Sequence, residues 1–158
     1  MGYYKTAQVC LNGHQVVSDV ESSPELTEKF CTRCGRETIT SCPSCSTKIR
    51  GYYESSGFPS LADSSTPSYC HECGIPYPWT AEKINAAMEM VDELDGLNEE
   101  EIVQLKGTLA DISQDTSRTE VATFRFKKLL AKAGKEAGGV LRNIVVDVAS
   151  ETAKKLLL

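Results

Sequence analysis

The stretch Cys31-Thr32-Arg33-Cys34-Gly35-Arg36-Glu37-Thr38-Ile39-Thr40-Ser41-Cys42-Pro43-Ser44-Cys45 sets two C-x-x-C pairs seven residues apart. A third pair, Cys70 and Cys73, follows, and Cys10 stands four residues before His14. Thiols paired at this interval have the spacing of metal ligands, not of a disulfide framework. A C-x-x-C turn presents two thiolates to one ion while its backbone amides offset their charge, and zinc takes four such ligands in a tetrahedron. The four pairs therefore predict two zinc ions, with Cys10, His14, Cys31, Cys34, Cys42, Cys45, Cys70 and Cys73 as ligands. All seven cysteines are used, and of the two histidines only His71 is left over.

Which pairs share an ion is less tightly determined. Sequential pairing joins Cys10 and His14 to Cys31 and Cys34, and Cys42 and Cys45 to Cys70 and Cys73. Each site then closes an interval long enough for a hairpin, and this is the preferred reading. Cross-braced pairing, first with third and second with fourth, satisfies the same ligand chemistry. His71 could replace a neighbouring cysteine, because it emerges beside the metal. A catalytic zinc keeps an open position and usually a nearby carboxylate base. Here each site can be closed with four ligands, and His71-Glu72 reads as two exposed knuckle residues, so no catalytic residue is expected and the chain is read as non-enzymatic. No thioredoxin-like βαβ pattern surrounds any pair, which argues against redox catalysis.

The remaining composition fits a chain that needs such staples. Its 158 residues suit one ordinary domain or two small ones, and a half of about 80 residues buries little core without help. Residues 1–79 hold every cysteine, histidine, tyrosine and proline, with turn-forming clusters at Ser55-Ser56-Gly57 and Asp63-Ser64-Ser65-Thr66-Pro67. Residues 80–158 have no proline or cysteine and carry apolar residues at helical spacing. The expected fold is α+β, a double zinc-ribbon module of knuckles and hairpins over 1–79 followed by a three- to four-helix region over 80–158. Pro76, Pro78 and Trp79 look like a rigid junction.

In the second half, Thr80 can N-cap a helix with Ile84, Ala87, Met88, Val91 and Leu94 on one face, ended near Gly96. Asn98 with Glu101 makes a variant capping box, and Glu99, Glu100 and Glu101 suit the positive end of the helix dipole. Ile102, Leu105, Leu109 and Ile112 form the second stripe. Ser117 can cap a third helix to about Ala133, and a fourth is expected from about Lys135 to the C-terminus, with Ala137, Val140, Leu141, Ile144, Val145, Val148 and Thr152 facing a core.

The formal charge of −5 conceals three blocks. Residues 1–79 carry −2; residues 80–115, with two basic and ten acidic side chains, carry −8; residues 116–158, with nine basic and four acidic, carry +5. A general nucleic-acid binder would usually show a pI above about 9, so nucleic acid is not an expected partner. Arg125, Lys128, Lys132 and Lys135 repeat on one helical face opposite Ala122, Phe126, Leu129 and Ala133. Pairing with the acidic block upstream is the simplest use of that face, ahead of a protein partner, lipid or nucleic acid. Gly134-x-x-x-Gly138 permits close helix approach, and Leu156, Leu157 and Leu158 need a docking surface. Tyr52, Tyr53, Phe58, Tyr69, Tyr77 and Trp79 are expected to pack around the second zinc site.

No apolar leader precedes Cys10, so a secretory signal is not expected and the thiols should stay reduced in the cytoplasm. Gly2 and Thr6 match the short myristoylation pattern, which recurs by chance. The longest apolar candidate, Gly138 to Leu158, is interrupted by Arg142, Asp147, Glu151, Lys154 and Lys155, and does not read as a membrane span.

The runs Cys10-Leu11-Asn12-Gly13-His14 and Tyr69-Cys70-His71-Glu72-Cys73-Gly74-Ile75-Pro76-Tyr77-Pro78-Trp79-Thr80, with the tail from Arg125 to Leu130 and from Asn143 to Lys155, resemble a bacterial family. That family is a domain of unknown function with an N-terminal double zinc ribbon. The resemblance spans nearly the whole chain. It implies bacterial origin and zinc at the four pairs, and no activity. Function is therefore expected to be that of a zinc-binding scaffold or adaptor with two structural zinc ions, whose helices serve a protein partner or a homo-oligomer. The alternative is a membrane-active or stress-response effector using the basic amphipathic helices; a nucleic-acid-binding zinc ribbon ranks third.

Overall fold

A computed structural model describes residues 1–56 and 65–158. The chain divides into two compact units, Met1–Ala81 and Glu82–Leu158, the division falling inside a helix. The fold is α+β, with small antiparallel sheets and two cysteine-rich sets in the first unit and helices in the second.

The first unit contains β1 (Tyr3–Thr6), β2 (Gln8–Cys10), β3 (Gln15–Val17), a 3-10 turn at Pro24–Leu26, β4 (Thr38–Ile39) and β5 (Arg50–Glu54). β1 and β5 form a two-stranded ribbon, and β2 is the centre of a three-stranded sheet in the order β3-β2-β4. Such short strands bury little on their own. The shared core is Ala7, Val9, Cys42, Ile49, Cys70, Tyr77 and Trp79, with Ile39 and Cys45 against it. Tyr77 and Trp79 stack with centroids 4.6 Å apart, and the indole N–H donates to the Pro67 carbonyl (2.9 Å).

Three knuckles repeat one wiring. The Cys31 N–H donates to the Arg36 carbonyl (2.8 Å) and the Gly35 N–H to the Cys31 carbonyl (2.7 Å). Cys42 with Thr47 and Ser46 (2.8 and 2.9 Å), and Cys70 with Ile75 and Gly74 (2.9 and 2.9 Å), repeat it. Bridges Phe30 to Glu37, Ser41 to Lys48 and Tyr69 to Pro76 close each loop at the same relative position. The fifth residue of each loop has positive φ: Gly35 at 73°, Ser46 at 64° and Gly74 at 73°. Glycine takes that conformation freely, whereas an L side chain there costs roughly 1 kcal/mol or more.

Five helices follow, one or two more than expected: α1 (Pro78–Asp92), α2 (Glu99–Ser113), α3 (Thr119–Lys132), α4 (Lys135–Val148) and α5 (Glu151–Leu157). Thr80 is not the N-cap of α1 but a buried residue in its first turn. The Tyr77 carbonyl accepts from the Thr80 and Ala81 N–H groups (3.0 Å each), and Pro78 takes the first helical position, where a missing N–H is harmless. α1 stops at Asp92, and Gly96 takes positive φ (80°) in the link to α2. The capping box at Asn98 and Glu101 forms in both directions (2.9 and 3.1 Å).

Ser117 does not cap α3. Instead the Thr119 hydroxyl accepts from the Thr116 N–H (2.9 Å) and donates to the Gln114 carbonyl (2.6 Å). The single C-terminal helix expected from Lys135 is broken at Ala149 and Ser150, both extended (ψ 146° and 163°). The Ser150 N–H donates to the Ile112 carbonyl of α2 (2.9 Å), and its hydroxyl accepts from the Ala153 N–H (3.3 Å) to start α5. The break lets α5 pack on α3 and α4, burying Ala153 and Leu157. Leu157 is thus docked while Leu156 and Leu158 remain exposed.

The helical core contains Ala87, Val91, Leu105, Leu109, Ile112, Ala122, Phe126, Leu129, Leu141 and Val145. A Cβ on Gly138 would lie 3.3 Å from both the side chain and the carbonyl of Leu130, so the second glycine of the Gly-x-x-x-Gly run serves close α3–α4 packing. The expected pairing of basic and acidic blocks occurs at Lys132 with Glu101 and Arg118 with Asp111 (3.3 Å), while Lys106 pairs with Asp92 (2.7 Å) inside the acidic block.

Candidate metal centres

The structure gathers the eight candidate ligands into two sets, Cys10, His14, Cys31, Cys34 and Cys42, Cys45, Cys70, Cys73, with ligand atoms within 4.8 Å of one another in each. This is the sequential grouping; the cross-braced alternative is not adopted. The reason lies in strand pairing. Cys10 ends β2 and pairs with Thr38 of β4, which carries the knuckle of Cys31 and Cys34 back beside Cys10. His71 belongs to neither set and is exposed.

The distances discriminate between chemistries. In the first set Cys10 Sγ lies 3.7 Å from Cys34 Sγ and 3.5 Å from His14 Nδ1, and Cys31 Sγ lies 3.6 Å from the same nitrogen. In the second set Cys42 and Cys73 are 3.8 Å apart and Cys45 and Cys70 are 3.6 Å apart, sulfur to sulfur. A zinc tetrahedron with Zn–S of about 2.3 Å and Zn–N of about 2.05 Å has S···S edges of about 3.8 Å and S···N edges of about 3.6 Å. A disulfide needs about 2.05 Å, and all seven thiols are free. The observed edges therefore fit a four-coordinate ion of zinc's size.

Backbone amides prepare the thiols for that ion. The Arg36 N–H, aided by His14 and Asn12, holds Cys34 down to about 6. The Cys73 and Glu72 amides hold Cys70 down to about 6, and the Thr47 hydroxyl and amide lower Cys45. Burial raises Cys10 against its bonds from the His14 and Asn12 amides. Cys73 accepts from the Ile75 amide, yet burial and the thiols of Cys45, Cys70 and Cys42 push it up to about 11. Thiolates this close repel, so a full set of four ionises only around a cation. Burial, and then the charge on Cys70, raises the Tyr77 hydroxyl beside the second set.

The aromatic residues expected around the second site separate. Tyr77 and Trp79 pack beside Cys42 and Cys70, Tyr53 meets Tyr4 instead, and Phe58 lies outside the described residues. Gly57, Asp63 and Ser64 of the expected turn clusters also lie outside them. Spacing did not point to Tyr4 or Arg50, whose juxtaposition depends on cross-strand register.

An α+β chain with two four-residue Cys/His sets in its N-terminal unit, each able to hold a metal ion and consistent with zinc, followed by a helical unit, defines the class of protein. The chain belongs to the bacterial family described as "Uncharacterized protein conserved in bacteria (DUF2321)", whose model matches residues 3–157. Neither a curated protein nor a solved structure matches it. Among the described residues no helix is long and apolar enough to cross a membrane.

Proposed function

We propose that the chain is a non-enzymatic zinc-binding scaffold or adaptor of the cytoplasm. Two structural zinc ions hold the ribbon unit, and the helical unit offers surface to a protein partner or a second copy. The observation that carries this reading is closure: four ligands on tetrahedral edges in each set leave a bound zinc no open position for water or substrate. Exposed Val103, Val121, Phe124 and Val140 support the association clause. Native mass spectrometry is expected to find two zinc ions per chain, and zero or one under full reduction sinks the metal assignment. A monomer by light scattering at high concentration would remove self-association. X-ray absorption showing an oxygen ligand on either zinc would reopen the enzyme question.

A second reading, contact with anionic lipid, is favoured by a groove in the helical unit. Phe126, Leu130 and Leu157 line it, and Lys127, Lys135 and Arg142 supply cations in a volume of about 320 Å³. Flotation with anionic vesicles distinguishes the readings, because a pure adaptor stays in the soluble fraction.

A further inference from the structure

The ribbon unit carries a constellation that the metal sets do not use. β1 and β5 pair as Tyr3 with Glu54, Tyr4 with Tyr53, and then Thr6 with Arg50, so the chain advances two residues on β1 and three on β5. In a regular strand Arg50 and Tyr53 would face opposite sides. The extra residue is a bulge, and it turns Arg50 onto the face of Tyr4. The Arg50 guanidinium lies 4.5 Å from the Tyr4 ring centroid, and the same ring meets Tyr53 at 4.9 Å. Gly51 lies in the bulge: a Cβ there would sit 2.1 Å from the Ser18 carbonyl oxygen, which accepts from the Tyr52 N–H (2.8 Å).

Two cavities share Tyr4, Arg50 and His71 as a common wall. One, of about 600 Å³, also reaches Tyr3, Lys5, Lys48 and Glu21, whose carboxylate pairs with Lys48 at 3.6 Å; the other, of about 330 Å³, reaches Tyr69. Tyr3 and Tyr4 are half exposed, at 55% and 49%. Among the described residues Arg50 has no carboxylate partner, its contact being the Tyr4 ring. Stacking on that ring leaves the in-plane N–H donors of the guanidinium directed outward, where they can grip a phosphate.

We propose that this cleft binds single-stranded nucleic acid, with phosphates on Arg50 and Lys48 and bases stacked on Tyr3 and His71, while Tyr4 holds the Arg50 guanidinium in place. Interleaved cations and flat rings suit a ligand that repeats a charge and a planar base. A peptide adding as a further strand is disfavoured, because the Thr6 N–H donates to Glu21 (3.0 Å) and the Thr6 carbonyl accepts from the Val20 N–H (3.0 Å). Residues 1–79 carry a net −2, and the carboxylate that lines this cleft, Glu21, is engaged by Lys48 and by the Thr6 N–H. Two phosphate contacts imply a log–log salt slope of about −1.4. The inference goes beyond the adaptor reading and does not depend on it.

The test is fluorescence anisotropy of labelled oligothymidylate, oligouridylate and a duplex with the full, zinc-loaded chain at low salt. Single strands are expected to bind more tightly than duplex. Tyr4→Ala and Arg50→Ala should each weaken binding about tenfold, while Lys128→Ala on α3 leaves it unchanged. Because Tyr4→Ala can loosen the ribbon, Arg50→Gln is measured alongside, with zinc content and melting temperature confirming its fold. Absence of single-strand binding, preference for duplex, unchanged affinity in a folded Arg50→Gln chain, or equal loss in Lys128→Ala would each overturn the proposal.

Discussion

Ser46 stands in its knuckle where Gly74 stands in the opposing one, both four residues after the first cysteine of a pair and both at positive φ (64° and 73°). The two loops face each other across the second thiol set, yet only one has the residue that its backbone favours. Relief of left-handed strain, less the backbone entropy of glycine, should make Ser46→Gly stabilising by about 0.5 kcal/mol. Nothing lies within 4 Å of a Cβ built on Gly74, so Gly74→Ala should cost about 1 kcal/mol from backbone alone. Thermal melts of the zinc-loaded variants measure both; a destabilised Ser46→Gly would show that its hydroxyl matters more than its φ.

Removing one ligand should empty one site. Cys73→Ser is expected to lower the zinc count from two to one while leaving the Cys10, His14, Cys31, Cys34 set loaded. Trp79, the single tryptophan, shares its core with Cys42 and Cys70. Its emission should therefore shift to the red, with a stability loss of several kcal/mol, since structural zinc contributes folding free energy directly. An unchanged spectrum at one zinc per chain would separate that core from the metal.

Gly51→Ala should be far worse than Gly35→Ala. At Gly51 the added carbon meets backbone, the Ser18 carbonyl at 2.1 Å, whereas at Gly35 it meets nothing within 4 Å. We expect a loss of about 2–3 kcal/mol at Gly51 and about 1 kcal/mol at Gly35. Equal melting temperatures would mean that the bulge relaxes without cost.

The pH response of α2 should run through Glu101. The Lys132 ammonium first, and the Asn98 N–H next, hold its carboxyl below the ordinary range. A depressed acid stabilises fully above its unfolded value, about 4.3, and that stabilisation is lost as pH falls through the lower folded value. Amide exchange at Leu105 and Ile112 should accelerate across that window in the parent chain and respond less in Glu101→Gln. Asn98→Ala should cost about 1 kcal/mol at neutral pH. Identical acid profiles for parent and Glu101→Gln would remove the assignment.

Much of this was readable in one dimension. The ligand pairs stand out because a knuckle is a local structure, closed by bonds between residues four and five apart. The capping box at Asn98 and Glu101 is local for the same reason. The break at Ala149 was not readable, because the carbonyl that receives the Ser150 N–H belongs to Ile112, far back in α2. Nor was the stacking of Arg50 on Tyr4, which a bulge in a pairing of distant strands produces.

Residue order alone sufficed for which thiols come in pairs, where α2 begins, and most of the apolar helical faces, since these depend on spacings of a few residues; Val140, expected to face a core, is exposed instead. Spacing already favoured grouping the pairs in sequence, and the structure has that grouping; tertiary structure alone decided that the last helix folds back as two, and that an arginine and a tyrosine on different strands share one cleft. Each of those choices rests on bonds between segments far apart in the chain, whose register no local pattern encodes.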